Sequence, residues 1–191
     1  MELKIGILGY ANIAKKAIIP ILLEMKESFH LKAIGTSSDE KIDLIKREVN
    51  GIEVTSYQNI LSNPAIDAVY IPLPNALHFE WIKAALKANK HVICEKSLAC
   101  SFDEVKILCQ LALEKGLALL ENFQLRKHEQ LKVIKNLLAT DEIGTIRFAR
   151  SSFCFPPFLD QENIRYKREL GGGALLDAGS YPLKLAKELF G

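Results

Sequence analysis

The chain has 191 residues, 49% of them apolar and 25% charged, with a formal net charge of +2. That balance belongs to a globular protein with a core of its own and excludes a disordered or collagen-like chain. Lys and Glu interleave, so no basic stripe faces a phosphate backbone and nucleic acid is not an expected partner; no apolar run approaches the ~20 residues that span a bilayer, so neither is a membrane.

"MELKIGILGY" enters a strand directly, without a basic leader and cleavage site, which reads as cytoplasmic. The run "LKIGIL" ends in Gly9 and is followed by an amphipathic segment from Asn12 to about Glu27: strand, turn and helix, the opening of a βαβ unit. "HLKAIGT" predicts a second strand, "DEKIDLIKREV" a charged helix, "NGIEV" a small turn and "YQNILS" a short helix. "IDAVYIPL" is the near-continuous apolar strand of a sheet covered on both faces, and "HFEWIKAALKANK" is the next helix. "HVICEKS" predicts another strand. "SFDEVKILCQLALEKG" predicts a helix capped by Ser101 and closed by Gly116, and "LALLEN" a final strand of this series. Strands alternating with helices imply an α/β, doubly wound parallel sheet over residues 1–121.

Beyond it the rhythm changes. A helix from about Lys127 to Thr140, an apolar and aromatic strand "GTIRFARSSFCF", an irregular loop at Pro156-Pro157 and a helix from about Asp177 read as the start of a second α/β domain over 122–191. Cys94, Cys100, Cys109 and Cys154 show neither a CxxC pair nor a His at metal spacing, so no metal site is expected and the four are read as buried thiols in a reducing compartment.

Gly9-Tyr10-Ala11-Asn12-Ile13-Ala14 fits G-x-G-x-x-G/A loosely, with Ala11 at the second position. Alone it could be a plain strand-to-helix turn. Its place after the first strand and before the first helix, whose unpaired N–H groups suit an anion, makes it a candidate pyrophosphate loop of a dinucleotide. After the second strand, where a carboxylate would hold the ribose 2'-hydroxyl of NAD, stand Thr36-Ser37-Ser38, with Lys41 near. No acid repels a 2'-phosphate there, which points to NADP, although hydroxyls serve either cofactor.

Gly9, Thr36, the segment Pro72-Leu73-Pro74-Asn75 and Glu95-Lys96 each lie just past a strand's carboxyl end, the edge along which open α/β sheets bind ligands. Lys96, directly after a buried strand, is either an exposed loop lysine or a cation placed to polarise a carbonyl or relay a proton. His78 could cap its turn, touch the cofactor or be structural.

Three motifs, "VYIPLPNALH", "NKHVICEKS" and "GGGALLDAGSYP", occur in an order that resembles the glucose-fructose oxidoreductase, inositol dehydrogenase and rhizopine catabolism (Gfo/Idh/MocA) family of NAD(P)-dependent oxidoreductases. The resemblance implies a Rossmann domain followed by a substrate domain whose open sheet often forms the subunit interface. It places the family's EKP lysine at Lys96, with Ser97 instead of proline, the catalytic aspartate at Asp177, and Tyr181 where many members have His, as in the glucose-fructose oxidoreductase and dihydrodiol dehydrogenase branch. Asp177 and Tyr181, four apart, share a helix face. With Lys96 opposite, Tyr181 would pass a proton to or from the substrate oxygen during hydride transfer. In "ENFQLRKH", Gln124 and Arg126 would face the cleft; Arg126, Arg165, Tyr166 and Lys167 could hold an anionic or polyhydroxyl substrate such as a nucleotide sugar, or be solvated charge.

Family members continue into further strands of the open sheet, whereas this chain stops at "KELFG". The lone strand "GTIRFARSSFCF" would then leave an uncovered edge, so a homo-oligomer or completion by a missing sheet is expected. The competing reading is a catalytically incompetent dinucleotide-binding fragment, or a split-gene product that needs a partner chain.

Overall fold

The computed structural model describes residues 2–191, which divide into two compact units: one running through Glu121, the other Asn122–Gly191.

The first unit is built on six strands, β1 (Leu3–Leu8), β2 (Phe29–Gly35), β3 (Glu53–Thr55), β4 (Ala68–Ile71), β5 (His91–Glu95) and β6 (Leu119–Asn122), in the order β3-β2-β1-β4-β5-β6. The pairs β1–β2, β1–β4, β2–β3 and β4–β5 all run parallel. Because β1 lies between β2 and β4, the chain reverses its direction of travel across the sheet at β1, and that switch opens a crevice at the strands' carboxyl ends.

Side chains alternate across the sheet, and the period of two divides the core. Ile5 and Ile7 of β1 and Ala68 and Tyr70 of β4 join one buried cluster, together with Ile19 and Leu22 of helix α1 (Ile19–Glu24) and Ile45 of α2 (Ile42–Glu48). Leu8 of β1 and Val69 and Ile71 of β4 join the other. There they meet Ile60 of α3 (Tyr57–Ser62), Ile82 and Leu86 of α4 (Asn75–Lys87) and Leu108 of α5 (Phe102–Lys115). Helices therefore cover both faces, the doubly wound arrangement that the alternation of elements predicted. Lys90, 5% exposed, donates from Nζ to the carbonyls of Asn63 and Ile66, both at 2.7 Å, and fastens the turn that enters β4.

Local signals hold where they are self-contained. Ser101 accepts from Glu104 N while Glu104 accepts from the Ser101 backbone, a full capping box, and Gly116 closes α5 at φ 63°, a left-handed conformation suited to glycine. Two expectations are corrected in this unit. The helix after Gly9 starts at Asn12 as expected but ends at Glu24 rather than about Glu27, and it passes through a π-helical turn, Ala14–Ile18. "NGIEV" is more than a turn: Glu53–Thr55 form β3, held by parallel pairing to Ala33–Gly35, which three residues beside an Asn-Gly turn do not announce.

In the second unit a 3-10 turn, Gln124–Lys127, precedes α6 (Glu129–Ala139), and a π turn, Leu175–Gly179, leads into α7 (Ser180–Phe190). Lys135 Nζ of α6 and Arg126 Nε converge on Glu188 of α7, at 3.0 and 3.1 Å. The expected strand at residues 144–155 does not form. A strand is stabilised by the ladder it shares with a neighbour, and among the described residues of this unit none after Asn122 is in a strand. Ile146, Phe148, Phe153 and Phe155 are exposed there. Of the four cysteines expected to be buried, only Cys94 is; Cys100, Cys109 and Cys154 are exposed free thiols on a loop, the outer face of α5 and the segment without a strand.

Candidate functional site

At the end of β1, Gly9 sits at φ 116° and donates from its backbone to Gly35 O at 3.1 Å. A Cβ built there would stand 2.8 Å from Leu73 Cδ2, so both the conformation and the space require glycine. Ala14, the small third position, is fully buried against the sheet, and Asn12 is exposed. Tyr10 turns aside: its hydroxyl donates to Glu48 Oε2 at 2.8 Å, while Lys15 Nζ bridges to the same carboxylate at 2.6 Å and lies 4.8 Å from the Tyr10 ring centre. Burial, then the Glu48 hydrogen bond and charge, push the Tyr10 phenol up to about 12. What Tyr10 offers a cofactor is therefore backbone, not phenol.

At the end of β2, Thr36 is buried, its backbone N donating to Thr55 O at 2.9 Å. Its hydroxyl folds back on its own loop, accepting from Ser38 N at 3.2 Å and donating to Ser38 O at 3.3 Å. Ser37 hydrogen-bonds the phenol of Tyr57, whose pKa burial nonetheless raises. Tyr57 went unremarked in the sequence. It packs its ring under Gly35, brings its hydroxyl to 3.7 Å from the Gly9 Cβ position, and meets Trp81 edge-on at 4.8 Å. An aromatic residue directly after the capping Ser56 was the available signal.

The ends of β4 and β5 are tied together. His78 is fully buried, with Nδ1 2.7 Å from Ser97 O and Nε2 2.7 Å from Leu73 O. Burial lowers its pKa, although both carbonyls and the charges of Glu95 and Glu121 pull the other way. A neutral imidazole donates from one nitrogen at a time, so the ring serves one carbonyl or the other. Both ring nitrogens thus face backbone carbonyls, the structural one of the three roles the sequence allowed. Glu95 accepts from Tyr70 Oη at 2.7 Å, Glu121 accepts from Leu98 N at 3.1 Å, and the Lys96–Ser97 peptide is cis. Asn75 begins α4 directly after Pro72-Leu73-Pro74.

In the second unit, Arg165, Tyr166 and Asp177 line one cleft of about 880 Å³ together with Phe153, Phe155 and Phe158. Arg165 Nε donates to Asp177 Oδ2 at 2.8 Å, and its guanidinium carbon lies 4.7 Å from the Phe158 ring centre. The Tyr166 hydroxyl is engaged by Phe158, accepting from its N at 2.9 Å and donating to its O at 3.3 Å, so it shapes the cleft wall. Tyr181 stacks on Phe153 at 4.3 Å and tilts against Phe123 at 5.1 Å. Arg126 Nε is paired with Glu188 at 3.1 Å and is not among the residues that line this cleft of the second unit. Gln124 opens the 3-10 turn before α6. Within the first unit the structure thus gathers Gly9, Thr36, Leu73, Glu95 and Lys96 on one sheet edge; within the second it gathers Arg165, Tyr166 and Asp177.

The sequence model of an oxidoreductase family with an NAD-binding Rossmann fold (GFO/IDH/MocA) matches residues 3–123, and that of the GFO/IDH/MocA C-terminal domain matches residues 131–191. The chain is 39% identical over 184 residues to the dTDP-3,4-didehydro-2,6-dideoxy-alpha-D-glucose 3-reductase of Saccharopolyspora spinosa, covering 96% of this chain and 55% of that one. It is 35% identical over 188 residues to the D-xylose 1-dehydrogenase (NADP(+)) 2 of Haloferax volcanii, covering 97% of this chain and 57% of that one. Among solved structures, the 3-ketoreductase KijD10 from Actinomadura kijaniata, in complex with NADP and TDP-benzene, superposes with a TM-score of 0.92 at 37% identity, covering all of this chain and 58% of that one. The chain thus spans somewhat over half the length of the curated relatives it matches. These relatives are named as reductases and dehydrogenases, and none favours the reading of the chain as an incompetent fragment.

Proposed function

This chain belongs to the Gfo/Idh/MocA oxidoreductase family, and from that premise we propose that it binds NADP, or NAD, along the carboxyl edge of its sheet and interconverts a hydroxyl and a keto carbon on a sugar or nucleotide sugar. The observation that carries the reading is the turn at Gly9. Its backbone is one that favours glycine, it leans on Leu73 from the next strand end, and it stands at the strand-to-helix turn where a dinucleotide's pyrophosphate is bound in such sheets, which supports the reading. The seryl and threonyl residues 36–38, with no acid among them, support NADP.

When bound, the nicotinamide supplies or accepts the hydride. The chain's own residues manage the proton and the substrate. Lys96, on the sheet edge of the first unit, is the cation suited to stabilise negative charge on a reacting oxygen; in the second unit Tyr181 carries the phenol that can donate or receive a proton, and Asp177, oriented by Arg165, accepts from a sugar hydroxyl. The cleft lined by Phe153, Phe155 and Phe158 with Arg165 suits a flat ring beside an anionic group, which supports a nucleotide-linked substrate.

The test is oxidation of NADPH and of NADH by the purified chain against free and nucleotide-linked keto sugars, with Lys96→Met and Tyr181→Phe alongside. Turnover is expected with at least one nucleotide-linked substrate, and each substitution is expected to lower kcat about 100-fold or more. Cofactor binding without turnover on any substrate would sink the hydride-transfer reading, and unaltered kcat in both variants would remove these residues from the chemistry.

A further inference from the structure

Lys96 is reached by a short segment whose neighbours are held one after another. Glu95 accepts from Tyr70 Oη at 2.7 Å, Ser97 O meets His78 Nδ1 at 2.7 Å, and Leu98 N donates to Glu121 Oε1 at 3.1 Å. These partners come from β4, α4 and the end of β6, so the first holds the side chain of the residue before the lysine and the other two hold the backbone after it. Of the three, His78 has the widest reach. Its Nε2 lies 2.7 Å from Leu73 O, and Leu73 is the residue against which the Gly9 turn rests. One imidazole thus stands between the exit of β4 and the exit of β5, and through Leu73 it borders the exit of β1. It is fully buried, so in the native chain these two carbonyls meet the ring rather than solvent.

We propose that His78 is a positioning residue for Lys96, its imidazole spacing the Leu73 and Ser97 carbonyls so that the lysine stands at a fixed place over the sheet edge. The inference rests on Lys96 being the cation of the proposed site, and it assigns His78 no contact with cofactor or substrate. Phenylalanine fills similar volume and donates to neither carbonyl, whereas glutamine keeps one amide donor on a flexible stem.

The test uses the full chain with its lysines reductively methylated with carbon-13, the Lys96 resonance being assigned from Lys96→Arg. In His78→Phe the Lys96 resonance is expected to be displaced, in His78→Gln displaced less, while the resonances of Lys41 and Lys83 stay in place. A Lys96 resonance unmoved in His78→Phe with a native circular dichroism spectrum overturns the proposal. If His78→Phe does not fold, His78→Gln decides alone: a displaced Lys96 supports the proposal and an unmoved one overturns it. The readout needs no turnover, so failure of the sugar oxidoreductase assay would count against the function while leaving this result to stand on its own.

Discussion

Arg165 Nε donates to Asp177 Oδ2 across 2.8 Å, joining a 3-10 turn to the π turn that leads into the last helix. Asp177 keeps only 15% of its side chain exposed, and a carboxylate withdrawn from water that far needs a donor. The same guanidinium lies over the Phe158 ring, so one side chain sets both the acid and the aromatic wall of the cleft.

Arg165→Ala is expected to lower kcat/KM by about 10- to 100-fold, the range that follows from about 1.5–3 kcal/mol for a hydrogen bond to a charged group. Arg165→Lys keeps the charge but loses the planar fork, and should fall between wild type and Ala. Steady-state kinetics with the best nucleotide-linked substrate decide it. An unchanged kcat/KM in Arg165→Ala would make the pair a rim contact with no part in recognition.

Gly9→Ala places a side chain at φ 116° and sets its Cβ 2.8 Å from Leu73 Cδ2. The backbone strain alone is about 1–3 kcal/mol. Urea unfolding should show that loss, and NADPH titration by fluorescence should show weaker binding, because the turn must shift to relieve the contact. Full stability and full affinity in the variant would mean that the turn does not need glycine.

Features that a few consecutive residues specify were legible in the sequence: the parallel alternation of strands and helices, the Ser101 and Gly116 caps and the Gly9 turn. Features that depend on a distant partner were not. Tyr10 was expected at the cofactor, yet Glu48, 38 residues away, engages its hydroxyl. The ion pair of Arg126 with Glu188, far along the chain, carries no local signal either. Residues 144–155 have the composition of a strand, and composition does not supply the neighbour whose ladder would make them one. For Tyr57, which packs beneath two of the strand ends, the cap at Ser56 marks only the start of a helix; its place follows from how α3 lies on the sheet.

The Tyr10–Glu48 contact predicts an alkaline titration. Burial and Glu48 raise the phenol from 10.0 to about 12, so the folded chain holds this proton more tightly than the unfolded one. The associated stability is intact below pH 10 and is lost as pH rises through about 12. The difference between the phenolate absorbance titrations of wild type and Tyr10→Phe isolates this group. Its midpoint should lie near 12 in the native chain and near 10 in urea, and Glu48→Gln should bring the native midpoint down. A native midpoint near 10 would rule out the contact.

His78 predicts the opposite limb. Burial holds its pKa below the ordinary 6.5, outweighing the two carbonyls and the charges of Glu95 and Glu121. Above pH 6.5 the ring is neutral in both folded and unfolded chains, and it contributes no slope. As pH falls below 6.5 the unfolded chain takes up a proton that the folded chain resists, so the unfolded state binds more protons and stability declines. The decline continues to the depressed folded value and then levels off for this group. Urea midpoints measured through that window should fall more steeply in wild type than in His78→Gln, which has no proton to gain. The variant should be less stable at neutral pH, because a flexible amide replaces a fitted ring between Leu73 and Ser97, and its acid slope should be shallower. Parallel slopes in the two proteins would place the acid sensitivity on other groups, and His78 would then be a packing element without a titration of its own.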